Sequence, residues 1–300
     1  MTSATPDSTL SRLVTVLERI ESLLPAQSPK DFASSLAFRW RKRRYLGLEQ
    51  GELQPVLRPA LIPFDDLKHV EDQKSALSQN TERFVRGLPA NNCLLTGARG
   101  TGKSSLIRAC LNEFGKRGLR LIEVDKRDLI DIADIVDMVA GARERFVIFC
   151  DDLSFDRNEA GYKELKAALD GSIAGTADNV LIYASSNRRH LMPELMRDNL
   201  DTRYDEDGEI HPAEAVEEQI SLSERFGLWL SFYPFRQDDY LDIVSHWLQR
   251  FGLSPDETAE ARAEALQFAL QRGSRSGRVA LQFARHWAGN KRLARDRTPR

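Results

Sequence analysis

The residues with the clearest chemistry stand together at Gly97-Ala98-Arg99-Gly100-Thr101-Gly102-Lys103-Ser104. An apolar run, Cys93-Leu94-Leu95, leads in, and a helix-forming run from Ser105 to Leu111 leads out. Strand, glycine-rich turn and helix make a phosphate-binding loop. Glycines let the backbone turn its N–H groups inward. Those donors, with the helix N-terminus behind them, form a cavity for anionic phosphates. Lys103 has the reach for β- and γ-phosphates, and Ser104 can set its hydroxyl on a magnesium ion that bridges them. Gly97 through Ser105 is the expected nucleotide-binding set.

A second constellation lies downstream. Phe146-Val147-Ile148-Phe149-Cys150 is an unbroken apolar run, as a central parallel strand buried on both faces requires. Asp151 and Asp152 follow at its C-terminal end, where open α/β sheets bind ligands. Two buried carboxylates side by side would be costly there without a cation. Asp151 can hold the magnesium ion through water, and Asp152 can polarise an attacking water. The next apolar strand, Val180 to Ser185, ends near Asn187, whose amide can hold the same water. An Asn after a strand is also an ordinary turn residue.

The elements that must position these groups come next. The fold class expected is α/β, a parallel-sheet core with helices on both faces, an N-terminal helical extension and a C-terminal all-helical lid. Leu10, Leu13, Val14, Leu17, Ile20 and Leu24 recur at helical spacing. A second helical run is expected over residues 30–47. It carries Arg39, Arg41, Lys42, Arg43 and Arg44 interleaved with Phe38, Trp40 and Tyr45. That mixture can stack on and neutralise nucleic acid. A solvated basic face is the other reading, and a chain of net charge −2 favours it. Residues 1–60 are thus read as extension and linker, 61–235 as the nucleotide-binding core, 236–290 as the lid, and 291–300 as a frayed basic tail. Within the core, residues 198–218 hold nine acidic residues around Arg203 and read as a solvated acidic insertion.

Composition narrows the setting. Cys93, Cys110 and Cys150 sit in or beside apolar runs without metal-ligand spacing, which fits buried thiols in a reducing compartment. The polar start lacks a signal peptide's pattern, and no apolar run is long enough to span a membrane. A cytoplasmic protein with no membrane partner is expected.

The order of these parts resembles the AAA+ ATPases over roughly Leu61 to Ala288. Gly97–Ser104 is similar to Walker A and Phe146–Asp152 to Walker B. Asn187 falls where the family carries sensor 1, Arg225 where it carries the arginine finger, and Arg278 where it carries sensor 2. The segment Ile62–Val70 resembles the stretch that touches adenine. Three strings, Phe-Cys-Asp-Asp-Leu-Ser-Phe, His-Pro-Ala-Glu-Ala-Val-Glu-Glu and Leu-Ser-Glu-Arg-Phe-Gly-Leu-Trp-Leu, resemble a bacterial AAA+ group described as a domain of unknown function.

The resemblance implies ATP and Mg2+ as cofactors. It implies catalysis by Asp152, Asn187 and Arg225, metal ligation by Ser104 and Asp151, and nucleotide contact by Arg278. It also implies a nucleotide-dependent homo-oligomer that remodels or loads a macromolecular partner, with nucleic acid a candidate. One departure stands out: the family has Glu where Asp152 stands, a carboxylate one methylene longer, which points to slow hydrolysis. A non-catalytic, nucleotide-gated binding module is therefore the alternative. A GTPase would want Asn-Lys-x-Asp, which is absent. A small-molecule kinase with Arg188, Arg189 and Arg197 over a second substrate stays open.

Overall fold

The computed structural model describes residues 10–16, 31–45, 48–155, 160–170, 177–187, 203–204, 210–211 and 222–297. The strands are β1 (Ala37–Tyr45), β2 (Leu48–Pro55), β3 (Cys93–Gly97), β4 (Leu119–Val124), β5 (Arg145–Cys150), β6 (Val180–Ser186), β7 (Arg203–Tyr204), β8 (Ile210–His211) and β9 (Leu228–Phe232). The helices are α1 (residues 10–16), α2 (Glu71–Val85), α3 (Lys103–Phe114), α4 (Ile132–Val139), α5 (Ala160–Asp170), α6 (Gln237–Arg250), α7 (Pro255–Glu260), α8 (Arg262–Gln271) and α9 (Gly277–Arg297).

Seven strands form one sheet in the order β2-β1-β4-β5-β6-β3-β9. All neighbouring pairs are parallel except β1 with β2. The central strands bury both faces. Phe146 and Ile148 of β5 pack into one apolar cluster with Leu94 and Leu165, while Val147 and Phe149 pack into the other with Leu106 and Phe114. Such strands read as continuous apolar runs because neither face meets water. The same parallel direction brings the C-terminal ends of β5, β6 and β3 side by side. The loops after them therefore share one edge of the sheet, and the cleft is built there.

The N-terminal region differs from the sequence reading. Residues 37–45 and 48–55 form a β-ribbon, not a helix and linker, and β1 extends the core sheet through β4. The sheet thus begins at residue 37 rather than beyond 60. The physical reason is a period of two: Phe38 and Trp40 are fully buried, whereas Arg39 and Arg41 face outward. Three of the five basic residues are also taken up by carboxylates, Arg39 by Glu123, Lys42 by Asp131 and Arg43 by Glu52. Gly51 makes room on the partner strand, since a Cβ there would lie 1.9 Å from the Trp40 ring. Residues 10–16 are helical as expected, with Leu10, Leu13 and Val14 exposed; Leu17, Ile20 and Leu24 lie outside the described residues.

The expected frayed tail is a further correction. Helix α9 runs on to Arg297. Lys291 pairs with Glu260 at 2.8 Å and Arg295 with Glu257, so basic residues of α9 are fastened to α7. Helix α7 itself starts on a capping box of Ser254 and Glu257 with Pro255 in its first turn. Most of the acidic stretch 198–218 lies outside the described residues, apart from a short antiparallel pair, β7 with β8.

Candidate functional site

Strand β3 ends in Gly97 at φ +126°, a conformation open to glycine. The close approach of β9 is the second reason for glycine, because a Cβ there would sit 1.9 Å from the Phe232 carbonyl oxygen. The Ala98 N–H donates to that same oxygen, and the Thr101 hydroxyl donates to Ala98 O, which folds the loop on itself. Gly102, at φ +105°, ends the loop and α3 begins at Lys103.

Lys103 is buried, with 5 % of its surface exposed. Its ammonium donates to Gly97 O at 2.7 Å, Ala98 O at 2.8 Å and Asn187 Oδ1 at 3.1 Å. Burial lowers its pKa from the ordinary lysine value, against the opposing pull of Asp151 and Asp152. The Ser104 hydroxyl donates to Asp151 Oδ1 at 2.6 Å, and the Ser185 hydroxyl donates to the same oxygen. Serine hydroxyl and carboxylate together offer hard oxygen ligands, the type magnesium prefers. Among the described residues no group of three or more His, Cys, Asp or Glu forms a complete metal cage. An ion on Ser104 and Asp151 would take its other ligands from phosphate and water, as magnesium commonly does.

Asp152 stands in the left-handed region at φ +52°, uncommon for a residue with a side chain and better tolerated by aspartate than most. From this turn Asp152 Oδ1 accepts a hydrogen bond from the Asn187 amide, while Oδ2 lies 3.9 Å from Arg99 Nη2. Lys103, Asn187 and Asp152 thus form one connected chain of polar contacts.

A cleft of about 780 Å³ gathers these groups, and Lys103, Asp151, Asp152, Asn187 and Arg278 all line it. Arg278 belongs to the first turn of α9, capped by Ser276 through the Val279 N–H. That helix start packs on the loop at Gly100: a Cβ there would lie 2.8 Å from Ser276 Oγ and 3.4 Å from Arg278 Cβ. At the other end, Ile62, Pro63 and Leu67 face Ile243 and Trp247 of α6. Two reciprocal contacts brace that end. Buried Asp66 meets His246 at 3.0 Å and Arg250 at 3.3 Å, while His69 meets Asp239 at 3.3 Å and Asp242 at 2.8 Å.

Of the expected site residues, Gly97, Ala98 and Arg225 lie outside the cleft lining; the first two begin the loop whose later residues line it, whereas the Arg225 guanidinium pairs with Asp170 at the end of α5 at 2.5 Å. Three contributors went unnoticed in the sequence. Ser185 was findable, since the two-residue strand period sets it on the same side as Asn187. Asp66 and Trp247 carry no local signal, because only the tertiary fold brings the residue-62 segment against α6.

The family described as "Protein of unknown function (DUF815)" matches residues 33–291. Curated proteins gave no match. Among solved structures, an Aeropyrum pernix ORC1 protein in complex with DNA is 17% identical with a TM-score of 0.51, over 80% of this chain and 63% of that one. A variant of Thermotoga maritima RuvB is 19% identical with a TM-score of 0.50, over 76% of this chain and 64% of that one. This chain therefore spans less than two thirds of either, and likeness at such identities concerns the fold. The chain belongs to the DUF815 family and has the AAA+ fold.

Proposed function

We propose that the cleft binds ATP with Mg2+ and hydrolyses it to ADP and phosphate. The observation that carries this reading is the chain Lys103–Asn187–Asp152 beside the Ser104–Asp151 pair, all in one cleft closed by the start of α9. Lys103 and Arg278 would take phosphate oxygens, Ser104 and Asp151 the metal ion, and Asp152 with Asn187 the attacking water. The apolar residues around Trp247 suit a purine base.

Hydrolysis is coupled, in this proposal, to a homo-oligomer that remodels or loads a macromolecular partner. Arg225 would serve the neighbouring subunit's ATP after leaving Asp170. A head-to-tail contact of that kind closes into a ring or extends as a helix. The ORC1 relative was solved with DNA, so nucleic acid is the first partner to try. The ribbon β1–β2 is a modest candidate surface for it, because Arg39, Lys42 and Arg43 are already paired.

A second reading, a nucleotide-gated binding module, is favoured by the short Asp152 side chain, since proton transfer is sensitive to displacements of about 1 Å. The test is binding and turnover in Lys103→Ala and Asp152→Asn. The enzyme reading expects no binding in the first, and binding without turnover in the second. Turnover in the unsubstituted protein no faster than in Asp152→Asn would leave only the gated module. Tight ATP binding by Lys103→Ala would discard the phosphate loop itself.

A further inference from the structure

We propose that Arg99 acts in cis as a catalytic residue: it stands near Asp152 Oδ2 and moves to the γ-phosphate when ATP binds. The proposal rests on the reading of this cleft as an ATP hydrolysis site. Arg99 is part of the phosphate loop itself, and its Nη2 lies 3.9 Å from Asp152 Oδ2. Asp152 Oδ1 is already engaged by the Asn187 amide. Oδ1 therefore carries a hydrogen bond from within the cleft, whereas Oδ2 has only the Arg99 charge nearby, beyond hydrogen-bonding distance. A water that surrenders its proton to Asp152 needs one of them. Oδ2 is the one open to it, because the Arg99–Asp152 pair is long and largely exposed, with side chains 78% and 58% accessible.

A γ-phosphate gives Arg99 a better partner. Guanidinium matches phosphate oxygens with two parallel N–H bonds, and the pairing is charge-assisted. A loop that cradles the phosphates and a carboxylate that holds the attacking water must bracket the γ-phosphorus between them. Arg99 belongs to that loop and lines the same cleft as the carboxylate. Its transfer to the phosphate would do two things in one movement. It leaves Oδ2 to the water without a competing cation, and it places positive charge on the oxygens where charge grows in the transition state.

The step balances within the cleft. Water adds to the γ-phosphorus and gives a proton to Asp152 Oδ2. The bond from that phosphorus to the bridging oxygen breaks, its electron pair leaves on ADP, and inorganic phosphate forms. An arginine in cis would also provide this charge while Arg225 is held by Asp170, so a basal rate would exist in a single chain.

ADP has no γ-phosphate, so Arg99 should matter for ATP and not for ADP. The experiment compares the full-length protein with Arg99→Ala and Arg99→Lys, using magnesium-loaded ADP and ATPγS in calorimetric titrations and ATP in steady-state turnover. In Arg99→Ala, ADP affinity stays within about twofold while ATPγS weakens about tenfold, the scale of one charge-assisted bond. Turnover at saturating ATP falls on the order of 10²-fold, as when one transition-state donor is lost. Arg99→Lys restores charge without the fork and recovers part of the turnover. Unchanged saturating turnover in Arg99→Ala, or equal weakening of ADP and ATPγS, overturns the proposal. Binding of neither nucleotide by the unsubstituted protein removes the underlying reading of the cleft, and this inference with it.

Discussion

Ser104 and Asp151 meet across the cleft floor, the serine hydroxyl donating to Asp151 Oδ1 at 2.6 Å. The contact joins the first turn of α3 to the end of β5, so one small cation can touch both oxygens. Asp151→Asn should keep its affinity for ATP in chelator and lose the increment that magnesium adds. A drop of roughly 10–100-fold in magnesium affinity is the expected scale. Titrations with and without chelator measure it, and an undiminished magnesium increment would remove Asp151 from the ion's surroundings.

Two loop glycines should fail in different ways. Gly97→Ala drives a Cβ into the backbone oxygen of Phe232, which cannot rotate away. Gly100→Ala meets Ser276 Oγ and Cβ at the start of α9, and because a Cβ cannot rotate away, the start of α9 must shift. The first should cost roughly 2–4 kcal/mol of stability. The second should cost roughly 1–3 kcal/mol, and it should displace α9 and weaken nucleotide binding. Denaturant unfolding and nucleotide titration of both variants separate the cases. Equal stability losses would mean that the backbone clash at Gly97 is relieved by movement of β9.

The contrast between Lys103 and Arg43 shows what the sequence disclosed. Lys103 lies inside a motif whose glycines, strand and helix are all local, so its position followed from spacing alone. Arg43 lies in a run whose basic residues suggested a helix, yet the decisive pattern was the alternation of Phe38 and Trp40 with arginines. A two-residue period over so few positions is easily lost among charges. The core strands β3, β5 and β6 were legible because burial on both faces leaves long apolar runs. The brace of Asp66 with His246, and of His69 with Asp242, was not legible. Its partners are distant in sequence, and each alone is an ordinary surface residue. The reach of α9 to Arg297 was hidden similarly, since its basic residues find their carboxylates only once α7 is packed beside it.

The buried thiols make stability depend on alkaline pH. Burial pushes the Cys110 and Cys150 thiols from 9.0 up to about 12. The folded state therefore keeps these protons at a pH where the unfolded chain has released them. Stability is full below about pH 9 and declines towards pH 12, by about 1.4 kcal/mol per pH unit for each such thiol. Cys110→Ala should start less stable, because it leaves a small void, and then fall less steeply with pH. Urea unfolding at pH 8, 9.5 and 10.5 compares the slopes. Parallel slopes for the two proteins would show that the Cys110 thiol is not titrating in this window.

Arg225 and Asp170 provide a test of assembly. Their pair at 2.5 Å, with the arginine three-quarters covered, holds the guanidinium on its own subunit. An arginine that serves a neighbour's ATP must leave this carboxylate first. Asp170→Ala should therefore raise turnover at protein concentrations where subunits associate, because less is lost when Arg225 reaches across. Arg225→Ala should lower turnover under the same conditions, and arginine fingers in GTPases set the upper scale at about 10³–10⁵-fold. Turnover measured across a wide range of protein concentration, with sizing in ATP and in ADP, supplies both readouts. The trans role predicts that the gain in Asp170→Ala grows with protein concentration. A gain of the same size at every concentration would place the effect within one chain, and Arg225 would then be a structural partner of α5 alone.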